Sequence, residues 1–242
     1  MSADIRIEIE PAILGRFPDC RVGGFLVRGL RSAAERVRLE PAESLAASLT
    51  GQGITAEKLG EEPRVQEWRK AIKQCGLKPS DYKSSPEQLA RRLLKGTWIS
   101  TPLPVVNLYS AVSARHLAPL GAYDVERLPL PAVTLREARE TDTFAPLGGR
   151  PEDMPLRPQI AVYASGSEVI CWAFNHRDSS ATCLVPETDT ALFVGEAVAG
   201  LQLASLDAAL AELARDLRDA GATVGGVGYA DAKSPSVSLQ PS

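Results

Sequence analysis

The chain has 242 residues, 27 Lys and Arg against 30 Asp and Glu, 44% hydrophobic and 5% aromatic content. That is an ordinary globular composition; so few aromatics argue against a broad base-stacking surface, and a net charge of −3 leaves any attraction for phosphate to a local patch. Two histidines, four scattered cysteines with no C-x-x-C and no apolar run near ~20 residues argue against a zinc site and a membrane span, so the chain reads as cytoplasmic, with free thiols and no metal or cofactor.

In chain order, IRIEIE (Ile5 to Glu10) alternates with period two and predicts a half-buried strand. GGFLVRGL (Gly23 to Leu30), bounded by glycines, predicts a second. A helical pattern crosses EPAESLAASLTGQ and stops near Gly51. RVQEWRKAIKQCG predicts a longer helix, with Val65, Trp68, Ile72 and Cys75 on one face and Gly76 as its stop. SSPEQLARRLLKG carries start and stop signals: Ser85 as cap, Pro86 in the first turn, Gln88 closing a capping box and Gly96 at the end. From Arg64 to Lys95, nine basic residues face three acidic ones. Two consecutive helices thus concentrate positive charge, either as solvated faces or as a surface that tracks phosphates.

PLPVVNLYSAVSARHLAPLGAYD (Pro102 to Asp124) threads polar residues through an apolar helical frame. Beyond it, AVTLREA predicts a strand, and QIAVYA with EVICWAF predicts a hairpin around Gly166. ETDTALFVGEAVAG holds a further strand or a helix start. SLDAALAELARDLRDAG predicts an amphipathic helix from Ser205 to Gly221. Strands and helices come in blocks, which makes the class α+β, with mixed sheets packed with helices in a single domain. The expected organisation is N-terminal strands and a helix over 1–60 packing on a core at 61–200, a C-terminal helix and strand at 201–230, and a frayed tail at 231–242.

EWRKAIKQCGLKPSDYKSSPEQLARRLLKG, PVVNLYSAVSARHLAPLGAYDVERL, VTLREARETDTFAPLGG and FNHRDSSATCLVPETDTAL, taken in this order, resemble the B3/B4 domain of the phenylalanyl-tRNA synthetase β subunit and, more closely, its free-standing relatives. The resemblance runs from about Trp68 to about Glu196. In the synthetase this domain hydrolyses tyrosine wrongly esterified to the tRNA for phenylalanine. The resemblance therefore implies B3/B4 editing-domain architecture and hydrolysis of a mischarged amino acid from tRNA, with the aminoacylated 3′ end, and a synthetase, as partners. Editing has a physical rationale: a synthesis site rejects a near-isostere by only ~10–200-fold, so a second site must test the ligand differently. A non-catalytic module that binds RNA or an amino acid is the alternative, and a hydrolase of small free esters a weaker third.

On that resemblance Glu196, Asn107 and Ser110 are the expected catalytic residues, with Asn107 able equally to hold a loop. Glu196 falls near the glutamate that reads the tyrosine hydroxyl in the synthetase, Ser110 where that domain has an asparagine, and Tyr109 on the preceding threonine. A helix hydroxyl bonded back to its own backbone is the competing reading of Ser110. Gly121 replaces a pocket histidine, which enlarges the site and removes the basis for tyrosine specificity. Tyr109, Gly121, Asn175, Arg177, Asp178, Ser179 and Thr182 are expected to bind substrate, with Arg177 as an anion clamp. His176, Asp178 and Ser179 are too close in sequence for triad geometry. Arg69, Lys70, Lys73, Lys83, Arg91, Arg92 and Lys95 are expected to meet the acceptor-stem phosphates.

Overall fold

A computed structural model describes residues 4–240. The first half contains β1 (Ile5–Ile9), α1 (Pro11–Arg16), β2 (Arg21–Arg28), α2 (Leu30–Ala34), α3 (Ala42–Gly51), α4 (Pro63–Gln74), α5 (Ser85–Leu94), α6 (Pro104–His116) and β3 (Leu120–Asp124). The second contains β4 (Ala132–Glu137), β5 (Ala161–Ser165), β6 (Glu168–Trp172), β7 (Arg177–Asp178), β8 (Ala191–Ala197), α7 (Leu203–Asp219), β9 (Thr223–Val224), β10 (Gly228–Ala230) and β11 (Ser236–Leu239).

The strands form two sheets. One runs β11-β1-β4-β5-β6-β7; the other runs β10-β2-β8-β3, with β9 also on β2. Only β1–β4 among these pairings is parallel. Between the sheets lies the largest apolar cluster, which joins Ile7, Val133, Leu135, Val162 and Ile170 to Val22, Leu26, Leu192 and Val194. The opposite face of the second sheet, Phe25, Val27, Ala191 and Phe193, packs on α6 and α7. α3, α5 and the flank of α6 enclose a third, smaller cluster around Leu45, Leu49, Leu93 and Ala114. At Gly24 the sheets touch so closely that a Cβ would lie 2.7 Å from the Phe193 carbonyl and 2.9 Å from Ile7 Cδ1. Only glycine fits there.

The α+β class with mixed sheets and helices holds. Three local expectations are corrected. Residues 236–239 are an edge strand paired antiparallel with β1 from Ile5–Leu239 to Glu8–Ser236, so the tail expected to fray closes the first sheet. Residues 1–3 and 241–242 lie outside the described residues. The cap residue of α5 is Ser84, its side chain makes no capping bond, and Gln88 donates instead to the Lys83 carbonyl. α7 begins at Leu203, so Ser205 is inside the helix, where its hydroxyl accepts from Arg64 at 3.3 Å. Of the strand or helix start expected around Glu196, the strand forms, over Ala191–Ala197.

In the β4–β5 region, Arg136, 2% exposed, forks onto both oxygens of buried Asp142 at 2.7 and 2.8 Å and onto two backbone carbonyls, a pairing that no local pattern reveals. A buried ion pair holds only with such full hydrogen bonding. Among the described residues no helix is long and apolar enough to cross a membrane, and no group of three or more His, Cys, Asp or Glu is arranged to hold a metal.

Candidate functional site

β8 supplies the centre of the site. All seven of its residues are buried, and its one charged member, Glu196, is 4% exposed and faces the other sheet. A carboxylate placed there must gain donors or hold its proton. Tyr163, from β5 of the facing sheet, donates to Oε2 at 2.5 Å, and Asn175 Nδ2 donates to Oε1 at 2.7 Å. Burial pushes the Glu196 carboxyl up to about 7; the two bonds pull against the rise and the nearby Asp178 charge adds to it. Such a group takes up and returns a proton near neutrality.

Asn175 is aimed at Glu196 by an unusual turn. Ala173 and Phe174, neither of them glycine, have φ of 51° and 60°. Left-handed backbone of this kind costs roughly 1–3 kcal/mol per residue and persists only where the surroundings enforce it. The Phe174 ring enforces it, fully buried and edge-on to both Phe17 and Trp68 at 5.3 and 5.6 Å. The other end of the Asn175 amide, Oδ1, accepts the Ser85 N–H at 2.8 Å.

A second carboxylate, Asp178, stands nearby. Tyr123 donates to its Oδ1 at 3.4 Å, and the Cys171 thiol shares a hydrogen bond with it. Burial raises the Asp178 carboxyl, against the lowering effect of Cys171, Tyr123 and the Arg177 charge. Tyr109, half-buried on α6 and edge-on to Phe193 at 6.4 Å, reaches the same corner; burial, then the Asp178 charge, lift its hydroxyl far above the usual range. Gly121 shares the Tyr123 face of β3, and the Cβ it lacks would sit 3.3 Å from the Tyr123 hydroxyl. It pairs with Val194, two residues from Glu196 on the same face of β8. Tyr109, Gly121, Asn175 and Asp178 are half-buried, whereas Tyr123, Tyr163 and Glu196 are buried.

Other expected site residues are used differently. Asn107 is spent locally: its Oδ1 accepts the Thr101 N–H at 2.7 Å and its Nδ2 donates to the Thr101 carbonyl at 2.8 Å. It clamps the loop before α6, the loop-holding alternative that its sequence position offers. Ser110 is half-buried on α6 and makes no hydrogen bond through its side chain among the described residues. Ser179 is fully buried, with its hydroxyl on the Ala145 carbonyl at 3.2 Å and Glu168 at 3.4 Å. Thr182 is also buried; its hydroxyl has no partner among the described residues. Its carbonyl accepts the Asp124 N–H at 2.9 Å. Arg177 donates to the Leu147 carbonyl at 3.3 Å and keeps a buried Nε without a partner among the described residues. His176, lowered by burial, puts Nδ1 on the Lys83 carbonyl at 2.8 Å and meets neither Ser179 nor Asp178 through a hydrogen bond. Tyr163, Cys171 and Cys20 escape sequence reasoning, because each reads as strand or core in its own segment. The signal available is the lone Glu196 itself, which demands donors from elsewhere.

The basic helices are partly neutralised. Arg69 forks onto Glu87 at 2.7 and 3.1 Å, and Arg91 joins the same carboxylate at 3.2 Å; Glu87 is 0% exposed. Lys70 pairs with Glu67 at 2.7 Å, and Lys83 donates to the Ser80 carbonyl. Lys73, Arg92 and Lys95 stand exposed.

A family model described as the B3/4 domain matches residues 67–214, more than half of the chain. No curated protein matches the sequence. Among solved structures, an N-terminal fragment of the phenylalanyl-tRNA synthetase β subunit from Pyrococcus horikoshii is similar, with 11% identity and a TM-score of 0.47 over 92% of this chain and 51% of that one. The chain thus spans about half the length of that fragment.

Proposed function

The chain belongs to the B3/4-domain family, and from that premise we propose that it binds the aminoacylated 3′ end of a tRNA and hydrolyses a mischarged amino acid from it. The observation that carries this reading is Glu196, a carboxyl poised at about 7 between a tyrosine and an asparagine, with half-buried Asn175 and Asp178 close by. Glu196 takes a proton from a water as that water attacks the ester carbonyl. The ester C–O bond then breaks, and the same proton goes to the departing ribose oxygen, so the carboxyl returns to its starting state. No side-chain nucleophile is needed where geometry and a poised base suffice. Gly121 leaves room over the Tyr123 hydroxyl for part of the aminoacyl group. The exposed cations Lys73, Arg92 and Lys95 offer a small phosphate-contacting surface.

The test is a panel of correctly and wrongly charged tRNAs incubated with the purified protein and with its Glu196→Gln and Arg177→Ala variants. Selective release of one amino acid, abolished by Glu196→Gln, supports the reading. The second reading is a recognition module without turnover, favoured by the loss of Asn107 to a loop clamp. It predicts RNA binding with no release from any member of the panel.

A further inference from the structure

The Glu196 carboxylate is tied to a helix that does not touch it. Asn175 spans the gap: one end of its amide donates to Glu196 Oε1 at 2.7 Å and the other accepts from the backbone N–H of Ser85 at 2.8 Å. Ser85 is the first residue of α5, whose own cap residue, Ser84, leaves its buried hydroxyl without a partner among the described residues. The first amides of a helix need an acceptor and carry its positive dipole end. Here a distant asparagine supplies the acceptor. This contact also fixes the amide's orientation: with Oδ1 on an N–H donor, Nδ2 must face the carboxylate. The left-handed turn at Ala173 and Phe174, pinned by aromatic packing, leaves the asparagine little other place to go.

Building on the proposed reading of the site, we infer that Asn175 is a positioning residue which, oriented by the N-terminus of α5, holds Glu196 in its proton-accepting geometry, so that the seating of α5 sets the behaviour of the carboxylate. The helix that carries exposed Arg92, with exposed Lys95 just past its end, is then the element through which a bound phosphate backbone acts on the site. The other groups facing Glu196 are Tyr163 from β5, Tyr123 from β3, Cys171 from β6, Asp178 from β7 and Cys20 ahead of β2. None of these connects it to α5.

The test is a titration of the Glu196 side-chain carboxyl by carbon NMR in the intact protein, assigned by its absence in Glu196→Gln. Three variants are compared. Asn175→Ala removes the donor. Asn175→Asp puts an oxygen where Nδ2 stood. Ser85→Pro deletes the helix N–H, and with it a Ser85 hydroxyl that has no hydrogen-bond partner among the described residues, at a first-turn position that tolerates proline and after a residue already in extended backbone at φ −60° and ψ 152°. The expected result is an upward shift of about one pH unit in Asn175→Ala, a larger one in Asn175→Asp and a smaller one in the same direction in Ser85→Pro. A Ser85→Pro midpoint equal to wild type overturns the proposal, as does a midpoint unmoved in Asn175→Ala. Because no tRNA is used, shifted midpoints in a protein that releases no amino acid sustain this linkage while the hydrolytic reading fails. Hydrolysis with unmoved midpoints does the opposite: the linkage fails and the hydrolytic reading stands.

Discussion

Glu196 carries a pH signature that its removal should reveal. Its folded-state midpoint of about 7 lies above the ordinary 4.5, because burial outweighs the Tyr163 and Asn175 bonds. The folded protein therefore binds that proton more tightly than the unfolded chain does. The resulting stabilisation is complete below about pH 4.5 and is lost as pH rises through 7, and its full size is about 3 kcal/mol. Glu196→Gln is expected to flatten this decline between pH 5 and 8 in urea unfolding, leaving the slope that Asp178 and Asp216, both raised by burial, contribute in the same sense and the opposing one from His176, lowered by burial. An unchanged slope in the variant would place the titration elsewhere. The sequence singles out Glu196, Asn175 and Asn107 alike, and the fold brings the first two together while sending the third elsewhere. The difference is physical. A carboxylate inside seven buried strand residues has no local way to be satisfied, whereas an asparagine on a first helical turn has backbone groups within reach and takes them.

At the level of elements, α4 and α5 divide their cations between structure and surface. Glu87 is wholly buried and receives Arg69 and Arg91, each only partly exposed. Replacing both arginines by alanine leaves an uncompensated buried carboxylate and is expected to cost about 3 kcal/mol in denaturant unfolding. A loss under about 1 kcal/mol would mean that Glu87 is satisfied by other groups. On the proposed reading, phosphate binding falls to the exposed Lys73, Arg92 and Lys95. Three contacts give a slope of log K against log salt of about −2 to −3. The triple alanine variant is expected to lose that slope with its unfolding curve unchanged, and a slope that survives would move the RNA surface to another face. The existence and type of these helices were legible, because their apolar stripes and glycine stops are local. The capping of α5 was not, since its acceptor comes from Asn175, ninety residues away in the chain.

For the whole molecule, the family was legible from the order of four segments, which the B3/4 match over residues 67–214 bears out. What local pattern did not reveal was how the two ends meet: residues 236–239 pair with β1 and close a sheet that the sequence left with a frayed tail. The site owes its existence to that same long-range assembly. Glu196 comes from one sheet, Tyr163 from the other, and Asn175 from the β6–β7 turn. No window of sequence contains the set, so its chemistry appears only once the sheets face each other. That chemistry is tested most sharply by single-turnover release of the amino acid from the tRNA that the panel identifies, measured at pH 7 for wild type and Glu196→Gln side by side. A loss of at least about 100-fold, with the variant folded at pH 6, is the predicted result. Equal rates from the two proteins would contradict it and remove Glu196 from the chemistry.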